Sequence, residues 1–248
     1  HMIAKTAELM DERLRSEEQK RKSEWKALQA QINPHFLYNT LDSIIWMAEW
    51  GKNKEVVTMT SSLARLLRRT ISNEQELVTI GEELDCTEAY LTIQKMRYKD
   101  KLEYSISVEE DIKEEKIVKL LLQPLVENAI FHGIEPKGCA GHIRIHVGYE
   151  TSDNTEKIRI DVTDDGVGMT ADKAAQVLRS NDDSSADFFR EIGVSNVHKR
   201  LQYQFGTEYG ITIESKEGEY TTMSIHIPNI PLHNNETVSS ETISSENT

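Results

Sequence analysis

Apolar positions along the chain recur with two different periods. Ile3, Ala7, Met10 and Leu14 are spaced 4-3-4 within an opening stretch of 33 residues that holds neither glycine nor proline, as in a coiled-coil seam. The register then meets Glu17, Arg21 and Glu24 and weakens before Leu28, so the stretch reads as a long helix, either paired with its own copy or solvated. Pro34 interrupts it. A helical pattern resumes over 36–50, breaks at Gly51-Lys52-Asn53, and returns over 56–71 with Leu63, Leu66, Leu67 and Ile71 on one side. Two helices on a short turn form an αα-hairpin, whose wide apolar face dimerisation into a four-helix bundle would bury.

Thr79-Ile80-Gly81-Glu82 reads as a capping box that opens a helix to about Tyr98. Beyond it the period alternates. Residues 101–108, 143–149 and 157–162 alternate as strands, the last two around a turn at Ser152-Asp153-Asn154. Residues 211–214 and 221–227 close as a hairpin around Lys216-Glu217-Gly218. Helices are predicted over 117–132, 171–178 and 193–205. The fold class is therefore α+β, a helical part followed by an antiparallel or mixed sheet with helices on one face.

Charge adds an exclusion. The formal net charge of −13 argues against nucleic-acid or anionic-membrane binding, which needs basic faces. Two cysteines, Cys86 and Cys139, provide neither a disulfide framework nor metal spacing and fit a reducing compartment. No apolar run approaches the ~20 residues that span a bilayer. His1-Met2 reads as a cleavage scar ahead of an internal fragment. The end, over 229–248, is Asn, Ser, Thr and Glu and reads as a disordered tail.

Four segments carry candidate chemistry. In the apolar helix Gln123-Pro124-Leu125-Val126-Glu127-Asn128-Ala129-Ile130-Phe131-His132-Gly133, Glu127 can activate a nucleophile and Asn128 can offer its carbonyl to a hard cation such as Mg²⁺. A polar helix face that happens to show Glu-Asn reads the same way. Asp164-Asp165-Gly166-Val167-Gly168 leaves a strand. Its glycines admit close backbone approach, and its Asp can accept from an exocyclic amine such as that of adenine. An ordinary Asp-Gly turn has the same composition. Ile192-Gly193 opens a helix whose amides can meet phosphate, after an Asp- and Ser-rich stretch over 180–191 that reads as a lid or a plain surface loop. Finally, His35, just after Pro34 at the start of a helix, can expose a nucleophilic imidazole, although a single helix histidine is more often a surface or packing residue.

The order of these segments resembles that of a bacterial sensor histidine kinase, and more narrowly the LytS/YesM-type family within the GHKL ATPase superfamily. The carriers are Asn33-Pro34-His35-Phe36-Leu37-Tyr38-Asn39 and Leu122-Gln123-Pro124-Leu125-Val126-Glu127-Asn128-Ala129-Ile130-Phe131-His132-Gly133, and the resemblance spans about residues 26–228. It implies a signalling helix over 3–25 and a dimerisation and phosphotransfer hairpin over 26–75. It also implies a GHKL-type α/β sandwich that binds ATP over 80–228. His35 maps to the phosphoacceptor, Asn128 to the Mg²⁺ ligand, and Glu127 to a base or a group behind the ligand. Asp164 maps to the adenine reader, Gly166, Gly168 and Gly193 to the close backbone approaches, His132 to a phosphate or ribose contact, and Thr221 to the adenine end. Arg97 sits where the family has an Arg-aromatic pair. The implied reaction is transfer of the ATP γ-phosphoryl group to His35 and on to an aspartate of a response regulator receiver domain. The implied setting is a homodimer on the cytoplasmic side of the membrane, anchored through a region before this chain.

The sequence departs from the pattern in places. Phe36 follows His35 where many histidine kinases have an acid. Glu191 and Tyr220 stand where glycines are expected before Ile192 and Thr221. Asn39, four residues after His35 on the same helical face, matches the position from which an amide orients water for phosphatase chemistry in some histidine kinases. Two other classes share part of the pattern. A GHKL clamp-type ATPase needs the nucleotide motifs but not the His35 segment, and a non-catalytic dimeric scaffold would follow if Glu191 spoils the pocket.

Overall fold

The computed structural model of this chain describes residues 34–71, 77–152, 155–179 and 188–229. The helix expected over 3–25, the turn at Asp153-Asn154, the loop at 180–187, the Glu191 side chain and the tail from 230 onward lie outside the described residues. Helix α1 (Pro34–Glu49) begins at Pro34, whose missing N–H costs nothing in a first helical turn. Gly51, at φ +70°, turns the chain into α2 (Asn53–Ile71). Met59, Leu63 and Leu66 of α2 are buried with Phe36 of α1, whereas Tyr38, Leu41, Ile45, Trp46, Trp50 and Val57 are exposed.

Strand β1 (Leu77–Thr79) leads into α3 (Ile80–Tyr98), whose capping box is complete. The Glu82 amide donates to Thr79 Oγ1 and the Thr79 amide to Glu82 Oε2, each at 3.1 Å. Arg69 of α2 donates to Glu82 as well, which joins the end of the hairpin to the start of α3. Strand β3 (Lys116–Val118) pairs antiparallel with β1. The helix predicted from Ile117 therefore starts later, at α4 (Leu122–Asn128), because Ile117 and Val118 find strand partners at Val78 and Leu77.

The main sheet has the order β2-β4-β5-β7-β6. It comprises β2 (Leu102–Val108), β4 (Gly141–Ser152), β5 (Thr155–Asp164), β6 (Gly210–Lys216) and β7 (Tyr220–Pro228). The β2–β4 pair is parallel and the others are antiparallel. Alternation decides the faces. Ile143, Ile145, Val147, Ile158, Ile160, Val162, Met223, Ile225 and Ile227 are buried, while Arg144 and His146 between them are exposed. Helices α3, α4 and α6 (Phe188–Phe205) cover the apolar face, and α5 (Ala171–Arg179) packs beside α6. Among the described residues no helix is long and apolar enough to cross a membrane.

One buried carboxylate fixes the start of α4. Glu83, 3% exposed, accepts from the amides of Leu120 at 2.9 Å and Leu122 at 3.0 Å. These are donors that a helix N-terminus leaves without intrahelical partners, and the positive end of the helix dipole favours the charge. The tie holds Leu120 at φ +60°, outside the ordinary range for a leucine. Pro124, in the first turn of α4, removes no needed hydrogen bond. Glu83→Ala would strand the buried Leu122 amide and the part-buried Leu120 amide, and we expect a loss of about 1–3 kcal/mol. The check is the midpoint of urea unfolding of the full chain by circular dichroism. A loss below ~0.5 kcal/mol would show that the amides are served without Glu83.

Candidate functional site

Helix α4 does not stop at Asn128. It passes into a π-helical segment, Ala129–Ile134, and a last helical turn, Glu135–Lys137. The wider turn carries the half-buried His132 and brings Gly133 against the end of β5. A Cβ at Gly166 would lie 2.2–2.4 Å from Gly133 backbone atoms, and one at Gly133 would lie 2.3 Å from Asp164 Oδ1. The Val167 amide donates to the Gly133 carbonyl at 3.0 Å and seals the contact. Gly168, at φ +62°, runs so close to the β6–β7 turn that a Cβ there would meet the Lys216 carbonyl oxygen at 2.1 Å. The structure thus brings the Glu127–Gly133 and Asp164–Gly168 segments together and seats both beside the last hairpin.

Asp164 is buried, 2% exposed, and its Oδ1 accepts from the Gly166 amide at 2.9 Å. Burial pushes its carboxyl up to about 7, against the lowering effect of the Gly166 hydrogen bond, with Asp165 adding to the rise. Thr221, equally buried, is its register partner across β5 and β7. Ser215 links the two glycine-rich turns. Its hydroxyl donates to the Tyr220 carbonyl at 2.7 Å, accepts from the Met169 amide at 2.8 Å, and lies 2.9 Å from Thr221 Oγ1. With the Ser215 proton committed to a carbonyl, the Thr221 hydroxyl is the donor between them and keeps its own lone pairs. Tyr220 turns its hydroxyl outward to Glu214 at 2.7 Å. Nothing in the sequence marked Ser215, because its importance lies in a cross-turn contact. Glu83 was missed for the same reason.

Glu127 accepts from Gln123 at 2.9 Å, one helical turn away, and both it and Asn128 are half-buried. Gly193 is not where the sequence placed it. It lies inside α6, which begins at Phe188, and a Cβ there would stand 3.0 Å from Pro124 Cβ. Its amide therefore does not open a helix, and its smallness instead lets α6 lie on the first turn of α4.

His35 is exposed at the start of α1. Asn39 Nδ2 stands 3.2 Å from its Nδ1 and 3.1 Å from its Nε2, so a single amide attends both ring nitrogens. Phe36 turns the other way, buried against Tyr90 of α3. Asn39, Asp42, Trp46, Trp50 and Arg97 line a groove of about 450 Å³ between α1 and the end of α3.

Residues 23–102 match the family model described as histidine kinase. Residues 113–231 match the model of histidine kinase-, DNA gyrase B- and HSP90-like ATPases. The sensor histidine kinase YesM of Bacillus subtilis is 38% identical over 229 residues, covering 92% of this chain and 37% of that protein. The sensor protein kinase HptS of Staphylococcus aureus is 29% identical over 203 residues, covering 82% of this chain and 38% of that protein. The chain thus spans less than two-fifths of either. The putative uncharacterized protein YwpD of Bacillus subtilis is 33% identical over 204 residues, covering 81% of this chain and 69% of that protein. Among solved structures, the histidine kinase domain of the Erythrobacter litoralis blue-light activated kinase aligns with a TM-score of 0.43 at 13% identity, covering 82% of this chain and 92% of that one.

The raised carboxyl of Asp164 has a stability consequence. Its folded value of about 7 lies above the ordinary 3.8, so the folded protein binds the extra proton between those values and loses stability as pH rises through 7. Asp164→Asn keeps the acceptor for Gly166 and removes the charge. We expect it to stabilise the ligand-free chain by about 4 kcal/mol at pH 8, by less than half of that at pH 5, and by only ~0.5 kcal/mol near pH 4. Urea unfolding at the three pH values checks this, and a pH-independent difference would contradict it.

Proposed function

Because this chain belongs to the histidine kinase family, we propose that it is the kinase core of a two-component sensor, transferring the γ-phosphoryl group of Mg-ATP to His35 and then to an aspartate of a response regulator receiver domain. The observation that carries this reading is the convergence at Gly133. The helical run bearing Asn128 passes against Asp164 there, and Asp164 faces Thr221. An exocyclic amine needs a buried acceptor, and Asp164, with one oxygen given to Gly166, offers its second. Thr221 supports the same end with its free lone pairs.

Glu127, Asn128 and His132 follow one another along the adjoining helix and its π segment, toward where the phosphates would lie. Among the described residues there is no cluster of three or more His, Cys, Asp or Glu side chains able to hold a metal. The Asn128 amide oxygen beside the Glu127 carboxylate fits a hard cation that completes its shell with phosphate oxygens and water, and that ion would neutralise the phosphate charge. Gly166 and Gly168 hold the loop under the nucleotide. Gly193 enters through the fit of α6 on Pro124.

At His35 the neutral imidazole attacks through the nitrogen that carries the lone pair. Asn39 is placed to hold that ring in one orientation and, once the regulator has been phosphorylated, to orient a water toward its aspartyl phosphate. The exposed row Tyr38, Leu41, Ile45 and Val57 supports dimerisation of the hairpin over 26–75, with the ATP-binding part over 80–228. By the same family resemblance the whole protein is a membrane sensor whose anchor lies outside this chain and whose core faces the cytoplasm.

Incubation with Mg²⁺ and γ-labelled ATP should give an acid-labile, base-stable label on the wild-type chain. His35→Gln and Asn128→Ala should give none. Label that persists in His35→Gln would remove the phosphoacceptor assignment, and nucleotide hydrolysis without label would favour a clamp-type ATPase. Asn39→Ala should retain the label and lose dephosphorylation of a phosphorylated receiver domain. Ile45→Glu should convert the chain from dimer to monomer in sedimentation velocity, and an unchanged sedimentation coefficient would refute the bundle.

A further inference from the structure

Three polar side chains stand in one row across the end of the sheet. Asp164 of β5 is the register partner of Thr221 of β7, and Thr221 is the register partner of Ser215 of β6. Register partners share a face, so all three project on the side that the helices cover. The next row on that face is apolar and consists of Val162, Met223 and Ile213. Asp164 and Thr221 are each 2% exposed, so neither can turn to bulk water for a missing partner.

The hydrogen-bond polarity of the row is set at Ser215. A serine hydroxyl has one proton and two lone pairs. The proton goes to the Tyr220 carbonyl at 2.7 Å, and one lone pair takes the Met169 amide at 2.8 Å. The other lone pair, 2.9 Å from Thr221 Oγ1, can only receive the Thr221 proton. Ser215 is then saturated, and Thr221 has nothing left to donate. Asp164 as a carboxylate has nothing to donate either, and one of its oxygens already holds the Gly166 amide. The row therefore presents acceptors alone. An exocyclic amine brings two N–H donors to such an end. An oxo group in the same place brings only lone pairs and sets acceptor against acceptor, a mismatch that is costly where water is excluded. Without the Ser215 hydroxyl, the Thr221 proton would be released to donate to that oxo group.

We infer that Ser215 is a positioning residue that fixes the direction of the Thr221 O–H and thereby makes the base end of the site select an exocyclic amine over an oxo group. The inference rests on the kinase reading above, in which Asp164 and Thr221 meet the base. Ser215 itself touches no ligand. It acts by withholding a donor, through a hydroxyl that faces it across the β6–β7 ladder.

Calorimetric titration of the full chain with ADP or IDP at pH 8 tests this. IDP carries an oxo group where ADP carries the amine, neither can donate a γ-phosphoryl group, and the Asp164 carboxyl, raised to about 7, is ionised at that pH. The ring N1–H of IDP is common to every variant, so the change between variants is what is read. Wild type should favour ADP by ~10-fold or more. Ser215→Ala should cut that preference ~5-fold, and Ser215→Thr, which keeps the hydroxyl, should restore it. In a Thr221→Val background, Ser215→Ala should leave the preference within ~2-fold, because the hydroxyl that it steers is gone. A preference untouched by Ser215→Ala would overturn the inference. So would an equal shift with and without the Thr221 hydroxyl, which would leave Ser215 as a prop for the Met169 loop. A wild type that binds ADP and IDP alike would overturn the inference and leave the kinase reading standing, whereas one that binds neither would overturn both. Should Ser215→Ala not fold, Thr221→Val alone carries the test. It removes the steered acceptor and should lower the ADP preference ~5-fold, and an unchanged preference would overturn the inference.

Discussion

Two stretches of backbone pass at Gly133 and Gly166 with no room for a side chain at either. A Cβ on Gly166 would overlap the Gly133 carbonyl, and one on Gly133 would overlap the Asp164 carboxylate. Much of the site follows from that approach. It fixes where the helical run from α4 meets the sheet, and it sets Asp164 beside that turn. It also obliges the chain after β5 to turn under the β6–β7 hairpin, where Gly168 makes a second contact too close for any other residue. The π-helical segment is how α4 arrives at this place. An ordinary α-helical turn would aim residue 133 elsewhere by a fraction of a turn, and the added residue in the turn corrects it.

Two buried carboxylates sit at opposite ends of α4, and burial pushes both carboxyls up. At Glu83 the α4 amides and the Arg200 charge of α6 work against that rise, and its task is to fix where α4 begins. At Asp164 the Gly166 amide and the Lys137 charge work against it, and the Asp165 carboxylate adds to it. The fold alone leaves it undercompensated, which is the signature of a group whose complement comes from outside. On the reading proposed above, a ligand amine supplies the missing donor, so the raised carboxyl and the acceptor it offers have one cause.

Most of the fold was legible along the chain because most of its elements are locally encoded. The capping box at Thr79 and Glu82 is a four-residue signal and formed as read. The alternating strands and the two hairpin helices declare themselves by period, and their ends shifted by only a few residues. What failed was non-local. Ile117 and Val118 look helical beside an apolar helix, but β1 offers them a ladder from far away in sequence. Gly193 looks like a helix opener because a glycine after a polar stretch usually is one, and only its contact with Pro124 shows otherwise. The candidate site was legible as motifs, each of which named residues without distances. Ser215, Glu83 and Tyr90 carry no motif at all. Their roles are defined by what lies across a turn or across a helix, and a single sequence does not record that.

Helix α3 joins the two parts of the chain. Its first turn takes Arg69 from the hairpin on Glu82 and, one residue on, holds the entry of α4 through Glu83. Its middle turns press Tyr90 on Phe36, the residue after His35, and its last turn lends Arg97 to the groove that Asn39 lines. A rotation or slide of the hairpin would strain the Arg69–Glu82 and Phe36–Tyr90 contacts. The hairpin and α4 therefore both rest on α3. On the reading proposed above, a signal that reset the hairpin would be felt as a change in where His35 stands relative to Asn128, the geometry on which in-line phosphoryl transfer depends most.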